Sequence, residues 1–519
     1  MSKGKLLFAF LLAFFVAVPS YAVELSLGGF PSFMRTRLRV IKDGTFIGAL
    51  TNEHARALGF SNADDEVIFA DTRLRLTPQL ILSDNVTIRA QIDVADNNIW
   101  GGANSILLRD VVFEALTPND RFRGALIVGG IDNVLFRGLG TNIAPFDFNG
   151  AVTNVPIDDV QYFNVRMIHM DIVLPNNLGF IRVGRQPFDW GLGILANGGW
   201  DPHSDLGFVL DRFLYLKSWG IGDGNFTFVF VTDRFRQGTT LVTGGGDAYD
   251  IGAVALIYNT GGLTVGGYLF PYIHQNNFAG LPFDATFLLW AAVIDYKTDM
   301  FRLVGEVQNA VGEIEVPGRD VDIEATNLLF VVRAEVYPGF PVNMVAVEFG
   351  YAGGDEISTT DGGDFQGNVL AFSAAYNIDQ LLFKHMIPSI YGIENSVINA
   401  YYARAWGTIK LLDRLSFTPH VLFAWNQERE ALVAGAKVGR YLATELEGTF
   451  TINIVPGVDF DIIGSVVIPG DGLDDLITQR AGLVLDAGNV AHGPDDISPP
   501  DVPFAVQGRL LIYIDQFFK

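Results

Sequence analysis

The sequence predicts an all-β fold, a transmembrane antiparallel β-barrel of about 18 strands, within a range of roughly 16 to 20. Three observations predict it: an export signal at the N-terminus, hydrophobicity spread over short alternating segments instead of helix-length blocks, and short turns that alternate with long polar connections.

The export signal comes first in the chain. Lys3 and Lys5 precede an unbroken apolar stretch from Leu6 to Val18, followed by Pro19, Ser20, Tyr21 and Ala22, with small residues where a signal peptidase inspects the chain. This pattern predicts a signal peptide over residues 1–22, cut after Ala22, and a single barrel domain over 23–519. The apolar stretch is shorter than a bilayer-spanning helix needs, and nothing downstream reaches the run of about 18 apolar residues that such a helix requires.

Composition narrows the classes. The chain has no cysteine, which excludes a disulfide framework, a thiolate metal site, covalent haem attachment and cysteine nucleophiles. It carries 35 Lys and Arg against 58 Asp and Glu, a formal charge of −23, and loss of Lys3 and Lys5 takes this to about −25. Such an acidic chain is a poor nucleic-acid binder. An apolar content of 49% with positive mean hydropathy is high for an acidic chain, and its dispersal in short segments is how a membrane barrel distributes hydrophobicity.

Side chains alternate across a strand, so a barrel strand faces lipid with every second residue and the lumen with the others. Leu74, Leu76, Leu80 and Leu82 share one face, opposite Arg73, Arg75, Thr77 and Gln79. After the turn Ser83-Asp84-Asn85, Val86, Ile88, Ala90, Ile92 and Val94 alternate with Thr87, Arg89, Gln91 and Asp93. The pattern predicts a strand near Phe33 to Ile41, hairpins around 67/86, 160/178, 212/225, 248/263, 285/300, 325/342, 396/415 and 438/458, and a last strand from Phe504 to Phe518. A phase slip between Val165 and Ile172 predicts a bulge near Arg166. Short turns fall at residues 175–177, 222–224, 259–262, 297–299, 338–339, 412–414 and 455–457. Longer connections span 99–158, 187–210, 236–247, 310–323, 352–394 and 470–502, and Val369 to Ile390 reads either as loop or as one more hairpin. Short periplasmic turns and long extracellular loops are the layout of a bacterial outer-membrane barrel. Many of the 41 Phe are expected on the lipid face and in interfacial girdles.

With the apolar face outside, the predicted pore-lining residues are Arg73, Arg75, Arg89, Asp93, Arg182, Arg302, Glu306, Arg333, Glu335, Glu348, Arg404, Lys410, Glu445, Glu447, Asp459 and Arg509. An Arg or Lys on the lipid face would cost roughly 2–4 kcal/mol at the midplane, so these charges argue for a hydrated lumen. Basic residues crowd the early strands and acidic ones the later strands, which suggests opposed charged walls; pairing across the barrel is the alternative. Acidic loops at Asn62–Glu66, Gly353–Asp364, Asp471–Asp475 and Gly493–Asp501 could hold divalent cations, although none has the spacing of a calcium loop. One of these acidic loops is expected to fold inward and constrict the pore. No catalytic residue, cofactor or dedicated metal site is expected. The seven histidines are scattered singly, His169 with Asp171 and Ser204 between His203 and Asp205 are the sole local groupings, and no nucleophile elbow, phosphate loop or zinc signature appears.

At Gly179 to Gly193 the chain reads GFIRVGRQPFDWGLG. This resembles the R-x-GRQ-x-x-x-x-G segment of alginate-export-type and related bacterial porins. AYNIDQLLF at Ala375 to Phe383 and NAYYARAW at Asn399 to Trp406 are similar to a loop and strand shared by outer-membrane proteins of that kind. The resemblance implies a single-chain barrel of about 18 strands, an arginine-bearing lumen and loop-controlled entry, and it carries over no substrate. The ending Leu510, Ile512, Ile514 and Phe518 resembles the signal by which such chains reach the barrel-assembly machinery, with Lys519 after the aromatic as a departure.

These readings give an outer-membrane porin for passive diffusion of small polar solutes, in contact with lipid and lipopolysaccharide. The alternative is a docking barrel that sheaths a periplasmic partner such as a multihaem cytochrome. The first would conduct ions; the second would have a wider lumen and retain its partner.

Overall fold

The computed structural model describes residues 24–27, 31–44, 49, 66–99, 163–205, 207–236, 247–250, 252–278, 281–315, 322–354, 371–373, 375–391, 396–429, 437–487, 497 and 502–517. The expected signal peptide and its cleavage site, most of the acidic loops at 62–66, 353–364 and 493–501, and nearly all of the 99–158 connection lie outside them.

Eighteen strands form the wall among the described residues. The first group is β1 (Phe33–Lys42), β2 (Glu66–Leu76 continued by Pro78–Ser83), β3 (Val86–Ile99), β4 (Phe163–Leu174), β5 (Gly179–Pro187) and β6 (Val209–Ile221). Next come β7 (Gly224–Arg236), β8 (Asp247–Asp250 and Ala253–Thr260), β9 (Leu263–Phe278), β10 (Leu281–Lys297), β11 (Phe301–Glu315) and β12 (Asp322–Val336). The last six are β13 (Val342–Ala352), β14 (Ala400–Leu412), β15 (Leu415–Asn426), β16 (Tyr441–Val455), β17 (Val458–Pro469) and β18 (Phe504–Tyr513). Each pairs antiparallel with its neighbours in sequence, and β18 closes on β1 with Tyr513 opposite Phe33. A short segment, Glu24–Leu27, adds to the second half of β2.

Alternation decides the two faces. Leu256, Leu269, Leu288, Ile294, Val332 and Val347 are exposed on the outer surface, while Ala255, Tyr268, Leu289, Val331 and Ala346, one residue away, are buried inside. Aromatic residues gather on the outside near the short turns: Trp219 stacks on Phe226 at 6.0 Å and Tyr296 meets Phe301 edge-on at 5.6 Å. Even strand number, an apolar outer band, and short turns at one end with long connections at the other form the architecture of bacterial outer-membrane barrels. No described helix is long and apolar enough to cross a membrane.

The bulge falls where the phase slip placed it. Gln91 faces Met167 and Ile92 faces Val165, so Arg166 has no opposite number, and its side chain turns inward to Gln91 and the Gly198 carbonyl. Two connections differ from expectation, and a third is decided between its two readings. Strands β11 and β12 run on to Glu315 and from Asp322, which shrinks the 310–323 connection to residues 316–321. Val369–Ile390 is no hairpin where it is described: Leu382–Met386 forms a single π turn, followed by helix α1 (Ile387–Tyr391). The 470–502 connection holds helix α2 (Asp471–Ala487), which buries Leu473, Leu476, Ile477 and Ala481 at helical spacing. Asp471 and Asp474 lie in its first turn, where negative charge complements the helix dipole, and Asp475 accepts the Gly439 N–H at 2.8 Å. No group of three or more potential metal ligands occurs among the described residues.

Candidate functional site

The site is the barrel interior, and two loops fill much of it. The described residues of 188–208, between β5 and β6, and of 371–399, between β13 and β14, turn inward. They carry Trp190, Ile194, Leu195, Phe372, Ile378, Leu381, Phe383 and Met386 into one apolar cluster with inward wall residues such as Tyr268, Phe287, Leu329 and Ala424. The two loops also meet each other: Ser373 N–H donates to the Ile194 carbonyl at 2.8 Å, and Lys384 pairs with Asp205 at 3.3 Å.

Wall carboxylates hold the loop backbones. Glu306, on β11, accepts the backbone N–H groups of Leu192, Gly193 and Ile194 on Oε2 at 2.6, 3.0 and 3.4 Å, and that of Leu195 on Oε1 at 3.1 Å. Glu445, on β16, accepts those of Gln380 and Leu381 at 3.1 Å and of Leu382 at 2.9 Å, and takes the Ser465 hydroxyl as well. A buried strip of backbone without secondary structure must find partners for its N–H groups, and a two-oxygen acceptor fixed on a strand supplies several at once. Two glycines of the Gly179–Gly193 segment are required by this packing. Gly191 has φ 54°, and a Cβ there would lie 2.7 Å from Glu306 Oε2. Gly184 has φ 122°, and its Cβ would meet the Ile168 carbonyl at 2.5 Å.

Arginines of β1 and β2 hold the carbonyl side of the first loop. Arg35 donates to the Pro202 and Ser204 carbonyls at 2.7 and 3.0 Å, Arg73 to those of Ser204 and Asp205 at 2.9 and 2.7 Å, and Arg75 to that of Gly199 at 2.8 Å. Arg75 also makes a two-point pair with Asp93, both bonds 2.7 Å. Asp205 receives Arg35, Arg37, Arg39 and Lys384. Burial alone would raise its carboxyl, but these cations hold it well below the ordinary carboxylate range. The Ser204 and Asp205 grouping therefore anchors the loop. His169 lies 3.6 Å from Asp171, whose two oxygens are taken by Arg182 at 2.6 and 3.0 Å.

On the far wall Glu348 is the hub. It accepts from Arg333 Nε at 2.6 Å, from Arg404 Nε and Nη2 at 2.8 and 3.0 Å, and from the hydroxyls of Tyr402 and Tyr376 at 2.6 and 2.9 Å. Arg404 reaches on to the Ile378 carbonyl at 3.0 Å, pinning the second loop.

All sixteen residues named from the sequence share the inward face of the strands. Arg73, Arg75, Asp93, Glu306, Glu335, Glu348, Glu445 and Arg509 are buried, Glu335 beside the short turn after β12 and the others toward the filled half. Arg89, Arg182, Arg302 and Lys410 keep more than a fifth of their side-chain surface open, all toward the short turns. Arg302 pairs with Asp295 at 2.6 Å and Glu335 at 3.8 Å, Glu447 faces His420, Asp459 accepts from Asn453, and Arg509 pairs with Asp461 at 2.9 Å. The opposed acidic and basic walls do not form: Arg302, Arg333 and Arg404 interleave with Glu335 and Glu348 on adjacent strands, because cross-strand neighbours of opposite charge are favourable. In the arginine motif Arg182 points inward, but Arg185, three residues on, points outward and pairs with Asp211 at 2.7 Å.

Sequence reasoning missed Arg35, Arg37 and Arg39. Their signal was present, since they alternate with Met34, Thr36, Leu38 and Val40 in a strand the pattern already placed. Asp205 stood in the local grouping with His203 and Ser204, whereas Lys384 and Tyr376 gave no signal, because they lie on loops without periodicity.

No protein-family model and no curated protein sequence matches the chain. Among solved structures it is similar to the anion-selective porin from Comamonas acidovorans, at 12% identity, covering 95% of this chain and 99% of that one, with a TM-score of 0.38. It is similar also to OccK5 (OpdH) of Pseudomonas aeruginosa, at 10% identity, 93% and 99% coverage and a TM-score of 0.42. A third is OmpT, an outer membrane protein of Vibrio cholerae, at 10% identity, 95% and 99% coverage and a TM-score of 0.34. Likeness at these TM-scores carries no argument, and the barrel rests on the strand register of this chain.

Proposed function

We propose that the chain forms an outer-membrane channel through which small polar or charged solutes diffuse, narrowed by its two inward loops. The observation that carries this is the contrast between faces: an apolar exterior, and a charged interior that stays open toward the short turns, where Arg89, Arg182, Arg302 and Lys410 meet water. Charge on an inward face is tolerated where the interior is wet, and the lipid face does not tolerate it.

In this reading the short turns face the periplasm and the open charges, with Arg333, Glu447 and Asp459 and with Glu335 buried between Arg302 and Arg333, line a vestibule on that side. The buried members of the sixteen, Glu306 and Glu445 above all, set the shape of the narrowing by holding the loops. Export through a signal peptide cut after Ala22, delivery by the barrel-assembly machinery, and contact with lipid and lipopolysaccharide belong to the same proposal, as does kinship with alginate-export-type porins suggested by Gly179–Gly193. The sheath alternative is disfavoured because the space a partner would need is occupied by 188–208 and 371–399. The experiment is conductance of the refolded mature protein in a planar bilayer, with reversal potentials under a salt gradient. Discrete steps are expected. A correctly folded but silent barrel refutes the channel.

A further inference from the structure

One buried seam is not used by the channel proposal. Between the second inward loop and the wall of β1, β17 and β18 lies a small cleft with room for a single body about the size of a water molecule or a halide ion. Its polar lining is Arg39 from β1, Gln507 from β18, and Gln380, Lys384 and His385 from the loop. No carboxylate is among them, and each offers N–H groups: a guanidinium, an ammonium, two amides and an imidazole. Aliphatic side chains, Ile41 and Ile463 among them, complete the lining.

The two cations are loosely held. Arg39 Nη2 stands 3.3 Å from Asp71 and 3.4 Å from Asp205, and Lys384 Nζ stands 3.3 Å from Asp205; charge-assisted bonds normally close to about 2.7–2.9 Å. Arg39 is buried, and its Nε, sealed from solvent, has no hydrogen-bond partner among the described residues. A buried donor in that state is uncommon enough to point to a missing acceptor. The nearby carboxylates of Asp379 and Glu445 are engaged by backbone N–H groups of the loop. Burial brings the Lys384 ammonium down to about 8, so it is mostly charged at neutral pH. Burial, with Lys384 and Arg39 beside it, takes His385 to about 3, so it meets the cleft as a neutral ring.

We propose that this cleft binds a small, weakly hydrated monovalent anion of halide size. Two cations and no carboxylate in the lining fix the sign, the small volume disfavours ions as large as phosphate, and the aliphatic part of the wall disfavours ions that hold their water tightly. The site goes beyond the channel proposal and stands whether or not the barrel conducts.

The test is chloride-35 NMR line broadening on the refolded barrel in detergent, for the wild type, Lys384→Met and Gln507→Leu, with folding checked by heat-modifiable gel mobility. Saturable excess broadening that bromide displaces and sulfate does not, mostly lost in Lys384→Met and weakened in Gln507→Leu, is the expected result. No saturable excess in the wild type, or equal excess in the wild type and whichever variants fold, overturns the site. Should Lys384→Met fail to fold, Gln507→Leu decides alone. Conduction without halide binding sinks this inference and spares the channel, whereas halide binding by a silent barrel does the reverse.

Discussion

Replacing Glu306 with alanine removes the acceptor that four consecutive loop N–H groups share. Three of those bonds run from 2.6 to 3.1 Å and the fourth, from Ile194, is 3.4 Å. At a net value of about 1 kcal/mol for each good bond, with the long one counting little, the loop tip loses about 3 kcal/mol of its hold on the wall. A difference of 1.4 kcal/mol is about tenfold in an equilibrium, so the open state of residues 192–195 should become roughly 100-fold more populated. Amide hydrogen exchange reads that population directly where closing is fast. Exchange at Leu192 to Leu195 should therefore speed up by about two decades in Glu306→Ala. Glu306→Gln, which keeps one acceptor oxygen, should lie between the variant and the wild type. Unchanged exchange in a Glu306→Ala barrel that still shows heat-modifiable mobility would refute the idea that this carboxylate holds the loop.

Glu445→Ala should release Gln380, Leu381 and Leu382 in the same way while leaving 192–195 protected, and equal deprotection of both loops would show that they move as one unit. Val332, exposed on the outer face of β12, tests the membrane assignment: Val332→Arg should lower folding stability in lipid by roughly 2–4 kcal/mol, read as a lower urea midpoint, and an unshifted midpoint would argue that this face does not meet lipid. Folding takes Lys384 from 10.5 to about 8, with burial the largest cause. The unfolded chain then binds the extra proton between those values, so stability rises with pH across that window and the penalty is fully present below about pH 8. The urea midpoint of the wild type relative to Lys384→Met should climb from pH 8 to 10.5, and a flat difference would exclude a buried, charged Lys384.

The barrel was legible because its signal is local. Leu74, Leu76, Arg73 and Arg75 declare two faces within four residues, and the turn Ser83-Asp84-Asn85 marks the reversal. The bulge at Arg166 was legible for the same reason, since one extra residue shifts the phase of everything after it. Helix α2 was missed although Leu473, Leu476, Ile477 and Ala481 have helical spacing, because it sits inside a Gly- and Asp-rich stretch that reads as loop. The extended ends of β11 and β12 were missed because Glu313, Glu315, Asp322 and Glu324 look like a polar connection.

What the sequence determined alone is therefore the wall: strand number, the side each residue faces, and the end where the turns are short, all consequences of a period-two pattern acting between neighbours in the chain. What only the tertiary structure decided is the interior. Which loops turn inward depends on pairings such as Glu306 with 192–195, Glu445 with 380–382, and Lys384 with Asp205. Their partners lie between about 60 and 180 positions apart in the chain. No local period records such a meeting, because it is set by the closure of the barrel, which brings distant strands and loops around one small space.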